Sequence, residues 1–247
     1  MPRKIKALYD SDYKPKKQKK RKLKKAPQVP KINDDFLIVG CDLSLRCPGF
    51  ALFRYVQAER KVELVRMSIV HHRKSANLSH GELLNDIANE FTRYIRFSGV
   101  AVVVRERGIS KFNTATQAIF KVVGVTDMVC WQFIQHPIQE ITCTEARKLV
   151  SGVSDSSVPK SKKEKALAAA EYLDDYFEHR KFVTDDESDA CIVAIGWLIK
   201  EGYLDQSPRA AQNRTRTEQE RDRRKKKQKQ LPSSASNDPQ NEMSDAQ

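Results

Sequence analysis

The chain has 247 residues, 45 Lys and Arg against 32 Asp and Glu, a formal charge of +13 and 39% hydrophobic residues. That length fits one large domain or two small ones, and the basic balance favours polyanionic partners. No apolar run is long enough to cross a bilayer, no apolar core follows the basic N-terminus as in a secretory signal, and the nine glycines include no Gly-x-Gly.

The charge is uneven. Residues 1–31 hold 13 basic and 2 acidic residues, and residues 207–247 hold 10 and 6. The stretch 32–206 is left with 22 basic and 24 acidic residues, so it is nearly neutral. Both ends are too poor in apolar residues to offset chain entropy by burial and read as disordered basic tails around a single domain at 32–206. Within the first tail, KPKKQKKRKLKK (Lys14 to Lys25) has 9 basic residues in 12. It suits phosphate binding without sequence preference, a nuclear localisation signal or a solubilising role. RDRRKKKQKQ near the C-terminus has the same options. Five cysteines with no Cys-x-x-Cys spacing imply reduced thiols, hence a cytoplasmic or nuclear setting. The pair His71–His72 has no metal-ligand spacing and reads as a solvated loop.

Phe36 to Cys41 has the continuous apolar character of a strand covered on both faces. Pro48–Gly49 marks a turn, Phe50 to Val56 a second strand and Lys61 to Val70 a third. No helix fits between them, so an antiparallel meander is expected. Ser79-His-Gly-Glu82 has the form of a capping box. It opens a helix with Leu83, Leu84, Ile87, Ala88, Phe91 and Ile95 on one face, ended by Ser98–Gly99. Val100 to Val104 is a short strand leading to Arg105-Glu106-Arg107. A helix follows over Asn113 to Phe133, then a short strand within Pro137 to Thr142. Thr144 is placed to cap a helix running to about Val150. A Ser-rich loop leads to a second box, Ser161-x-x-Glu164, whose helix carries an apolar face to Phe177. Thr184-x-x-Glu187 opens a last helix, apolar almost all round from Ala190 to Ile199. This order specifies an α/β domain with a mixed sheet.

Asp42 interrupts the apolar run at the end of the first strand, and Glu106 ends the fourth. If those strands are parallel neighbours, both carboxylates reach the carboxyl edge of the sheet, where ligands of open α/β folds bind. Asp186 and Asp189 are three apart at a helix start, hence on one face, where the helix dipole tolerates negative charge. Such a cluster calls for a cation, and hard oxygen donors suit Mg²⁺, with Mn²⁺ as a substitute. Two such ions support phosphodiester hydrolysis. Each residue also has an ordinary reading. Asp42 could be a strand-end acid, Glu106 a partner of Arg105 or Arg107, and Asp185 and Asp186 first-turn helix acids. Glu187 sits at the capping position and is structural.

The pattern resembles the RuvC family of Holliday junction resolvases, within the ribonuclease H-like superfamily, from Phe36 to Ile199. Asp42, Ser44, Leu45 and Gly49 match the first motif, Glu106 the second, and Asp186, Asp189 and Ala190 the last. A Lys-bearing helix after a flexible loop matches Lys165 and its neighbours. The resemblance implies a mixed five-stranded sheet flanked by helices and a homodimeric, Mg²⁺-dependent endonuclease. Its substrate would be a Holliday junction or other branched DNA, and its metal-binding and catalytic residues Asp42, Glu106, Asp186 and Asp189. DNA contacts are expected from Lys160, Lys162, Lys163, Lys165, Lys111 and Phe112, with Ile109 or Phe112 as a wedge between bases. Pro48 stands where the family has Thr, and the loop from Ser151 to Pro159 keeps only Gly152 of two glycines. A nuclease fold retained only for nucleic-acid binding or packaging is one alternative, though all four carboxylates are present. An actin or sugar-kinase type phosphotransferase is another, but it would need Gly-rich phosphate loops.

Overall fold

Phe36–Asp42 is apolar at almost every position because it is strand β1, at the centre of a sheet covered on both faces. The computed structural model describes residues 32–73, 77–107, 114–153, 162–179 and 181–230. Among them, β1 is joined by β2 (Gly49–Val56), β3 (Lys61–Ile69), β4 (Val100–Glu106) and β5 (Gln139–Ile141) in the order β3-β2-β1-β4-β5. The first three form the expected antiparallel meander, while β4 is parallel to β1 and β5 to β4. The sheet is therefore mixed and five-stranded.

Side chains alternate across the sheet, which divides the core in two. Val39 and Cys41 of β1, Phe50 and Leu52 of β2 and Val103 of β4 face one way. They pack against α1 (His80–Ile95) and α2 (Thr114–Ile134) through Ile87, Phe91, Val122 and Val129. The opposite face meets α5 (Asp185–Lys200), which is flanked by α3 (Cys143–Ser151) and α4 (Lys162–Ala170). An all-round apolar helix is what that sandwiched position requires, and residues Ala190 to Leu198 of α5 are buried. Contact with β1 is close. A Cβ at Gly40 would collide with the Ala190 carbonyl and sit 2.8 Å from the Ala194 Cβ.

The helix starts are built as their sequences indicate. Ser79 caps α1 with a complete capping box. At α5 the Glu187 N–H donates to Thr184 Oγ1 at 3.3 Å, and the Glu187 carboxylate accepts the Val183 N–H at 2.8 Å. Four expectations change. Thr142, not Thr144, caps α3, because the helix begins at Cys143 and the hydroxyl two residues earlier meets the Glu145 N–H at 3.2 Å. The helix carrying Leu167 ends at Ala170, and Leu173 is buried from a 3₁₀ turn, Leu173–Asp175. Asp175, in that turn, accepts from Ser207 and pairs with Arg209. His72 is not solvated: its ring is 8% exposed and its Nε2 lies 3.0 Å from Asp86. Most important, the domain does not end at 206. Pro208–Gln230, assigned to a disordered tail over 207–247, forms helix α6, whose first turn is buried at Ala210. Ser161, Lys111, Phe112, Ile109 and Lys160 lie outside the described residues, as does the tail at 1–31.

Gly40→Ala should be destabilising by about 1–3 kcal/mol, because a methyl group there overpacks a backbone-to-backbone contact. Urea unfolding should show a lower midpoint with an unchanged slope.

Candidate active site

The register of the parallel strands decides where the acids go. Cys41 pairs with Arg105 across β1 and β4, so the next residues, Asp42 and Glu106, end their strands side by side. Gly40, two before Asp42, faces α5, and alternation puts Asp42 on that face too. Arg105, one before Glu106, points the other way and pairs with Asp127 on α2. Glu106 therefore shares the α5 face with Asp42. Arg105 and Arg107 both engage Glu140.

The third contributor is brought in by backbone contact. Asp42 is paired across the β1–β2 ladder with Gly49, and a Cβ at Gly49 would collide with the carbonyl of Asp186. The first turn of α5 thus rests directly on the start of β2, beside Asp42. Asp189 follows one turn later. All four acids are half-buried, at the rim of the core.

Their mutual influence is visible in the titration of their neighbours. Cys143, at the start of α3, has its thiol pushed up to about 12, first by burial and then by Glu106; Arg147 opposes this, and Asp189 and Asp42 add to it. One thiol therefore feels carboxylates from β1, β4 and α5. Asp186 is held above the usual carboxylate range, mainly by burial, then by Asp189 and Asp185, with a backbone N–H and His71 opposing.

Arg147 of α3 is a member of the site that sequence reasoning missed. Its Nη2 donates to both Asp189 oxygens, at 3.0 and 2.9 Å, with the guanidine side chain 4% exposed and the carboxylate 17% exposed. Its only sequence signal is an Arg between Ala146 and Val150 on the buried face of a short helix. Among the described residues, no group of three or more His, Cys, Asp and Glu forms a ready-made metal cage. The donor chemistry still fits a hard divalent cation. The carboxylates come from three elements, and Asp186 is raised by burial first and by Asp189 next, both of which a bound cation would offset. Lys162, Lys163 and Lys165 occupy the first turn of α4, which packs beside α3 and α5.

No protein-family model matches the chain, and no curated protein matches it in sequence. Solved structures do match. RuvC of T. thermophilus in complex with a Holliday junction substrate aligns with a TM-score of 0.53 at 15% identity, covering 65% of this chain and 92% of that one. The fold is RuvC-like. A second Thermus thermophilus RuvC structure gives a TM-score of 0.51 at 12% identity, over 68% of this chain and 98% of that one. The yeast mitochondrial Holliday junction resolvase Ydc2 aligns with a TM-score of 0.48 at 14% identity, over 76% and 88% of the two chains. In this RuvC-like fold the acids sit where strand register and the seating of α5 bring them, at the carboxyl ends of the two central parallel strands.

A carboxyl whose folded-state pKa is raised adds stability only below its unfolded pKa, and that stability is lost as pH rises through the folded value. Ionised Asp186 is therefore destabilising at neutral pH. Without divalent ions, Asp186→Asn should melt at a higher temperature than the wild type at pH 7. The gap should close as pH falls through the carboxylate range, as thermal scans from pH 7 to pH 4 in EDTA would show.

Proposed function

We propose that this chain is a metal-dependent, structure-specific DNA endonuclease that hydrolyses phosphodiester bonds in Holliday junctions or related branched DNA, in recombination, repair or replication. The observation that carries the reading is the seating of Asp42, Glu106, Asp186 and Asp189 at one edge of a RuvC-like sheet. The substrate class follows from that fold together with the Holliday junction in the T. thermophilus RuvC complex.

Asp42, Glu106, Asp186 and Asp189 would hold Mg²⁺, or Mn²⁺ in its place. When bound, two such ions activate the attacking water and offset charge on the transferring phosphate. The chain's own part is placement. The β1–β4 ladder fixes the spacing of Asp42 and Glu106, and the contact of Gly49 with α5 fixes Asp186. Arg147 orients Asp189 and keeps one carboxylate neutralised in the absence of other cations. Lys162, Lys163 and Lys165 at the start of α4 are the proposed DNA contacts, together with Lys160, Lys111 and Phe112, which lie outside the described residues. A duplex with one charge per about 1.7 Å of axis needs such cations beside a neutral domain.

A four-way junction has two-fold symmetry, and paired cleavage needs two active sites, so the working form is a homodimer. Helix α2 supports this reading. Val122 and Val129 face the core, while Phe120, Met128 and Trp131 on the opposite side are 53, 55 and 59% exposed. These three, with Gly124 between them, form one stripe at helical spacing, an apolar surface that a second copy would cover.

Incubation with labelled Holliday junction, fork, flap and linear duplex, with and without Mg²⁺, tests the activity. Branched substrates should be cut only with the metal present. Asp42→Asn, Glu106→Gln or Asp189→Asn should each remove most cleavage, a greater loss than the roughly 10–100-fold that changing a hydrogen-bond partner of a metal ligand costs, with DNA binding retained. Glu187→Gln should keep cleavage. Near-normal cutting by Asp42→Asn would reject the assignment. In sedimentation, the wild type should be dimeric and Trp131→Glu with Phe120→Glu monomeric. A monomer that still makes paired cuts would reject the dimer.

A further inference from the structure

We propose that helix α6 is a rigid cationic arm that grips the phosphate backbone along a duplex arm of the branched substrate; the proposal rests on the nuclease reading above. The helix is seated on the domain at its N-terminal end. Ser207 caps it, donating to Asp175 at 2.8 Å and accepting the Ala210 N–H at 3.1 Å, and Pro208 takes the first helical position. Ala210 is fully buried against Gly152, whose positive φ of 73° ends α3 and whose lack of a Cβ admits the Ala210 backbone. The Asn213 amide donates to the Ser151 carbonyl at 3.2 Å and to the Tyr172 hydroxyl at 2.6 Å. The Arg209 guanidinium lies 4.0 Å from the centroid of the same tyrosine ring. Beyond Asn213 the helix leaves the domain, and 17 residues at ~1.5 Å each carry it about 25 Å further.

The composition of that projecting part selects its partner. From Gln212 to Gln230 there is no apolar side chain. It therefore lacks the stripe needed to enter a protein groove and the apolar face needed to lie in a membrane. Arg214–Glu218 and Arg216–Glu220 are i,i+4 pairs that support the helix. No acid follows Asp222 within the helix, and Arg223 to Lys229 hold six cations in seven residues. A dense run of cations on one helix suits a regular polyanion, and duplex DNA is the one that the proposed reaction supplies. The distance from the chemistry is also set. Helix α3 begins at Cys143, two residues after Ile141, which pairs with Glu106 across β4 and β5, and ends at Gly152, which seats α6. Its nine residues span about 13 Å. The arm would hold the duplex at a fixed offset from the scissile phosphate, which makes it a reader of branch geometry as well as a source of affinity.

The test uses the full chain in the Asp42→Asn background, with fluorescence anisotropy on a four-way junction and a linear duplex across a salt series. Replacing Arg223, Arg224, Lys225, Lys226, Lys227 and Lys229 together with Gln preserves helix propensity. It should weaken junction binding at least about tenfold and flatten the slope of log affinity against log salt by about 3, as loss of three or more phosphate contacts requires. Gln219→Pro keeps every charge but breaks the helix. It should retain linear-duplex affinity and lose preference for the junction. Unchanged affinity and salt slope in the Gln variant, or unchanged preference in the Pro variant, overturns the arm while leaving the nuclease reading intact. A parent protein that binds neither DNA overturns the nuclease reading itself.

Discussion

Two glycines set the distance between α5 and the sheet, and the candidate site depends on that distance. At Gly40 and at Gly49 there is no room for a Cβ, because the carbonyls of Ala190 and Asp186 occupy the place. Backbone-to-backbone packing is a stiff constraint, since close-packed interiors do not yield by small continuous adjustments. It draws the first turn of α5 onto the ends of β1 and β2. Asp186 is carried to the same edge as Asp42, and the parallel pairing of β1 with β4 adds Glu106. The acids are placed by the core, so their positions do not depend on a loop.

Such an arrangement is costly in charge. Two like charges 4 Å apart repel by about 4 kcal/mol at an effective dielectric near 20, and the site has four carboxylates within a half-buried rim. The fold offsets part of this itself. Arg147, almost wholly buried, closes on Asp189. Asp186 is held above the usual carboxylate range, by burial first and then by Asp189. Strain retained at one rim of an otherwise consistent core is characteristic of a functional position. Charge is divided along the chain in the same sense: the stretch 32–206 is near neutral, and the excess of cations lies in the segments on either side of it.

Much of this was legible in the sequence, for identifiable reasons. Strand-end acids show as polar interruptions of apolar runs, which is how Asp42 and Glu106 stand out. Asp186 and Asp189 are marked by the cap at Thr184 and the apolar run after it. The meander was readable because no helix fits between Asp42 and Ile69. Arg147 was not readable, since its partner is 42 residues away and nothing local distinguishes it from a surface arginine. Helix α6 was obscured by its own charge: a composition average over 207–247 hides the Ser207–Pro208 start and the buried Ala210. The early end of α4 and the cap at Thr142 depend on contacts with residues distant in sequence or on a two-residue choice among threonines, which periodicity does not resolve.

The central claim is that the four carboxylates act as one divalent-cation site. Its most direct test is calorimetric titration of Mn²⁺ into the DNA-free protein and into Asp42→Asn, Glu106→Gln, Asp186→Asn and Asp189→Asn separately. Saturable binding by the wild type, weakened in every one of the four variants, is the predicted result. Wild-type binding that persists unchanged when any of Asp42, Glu106 or Asp186 is neutralised would contradict it.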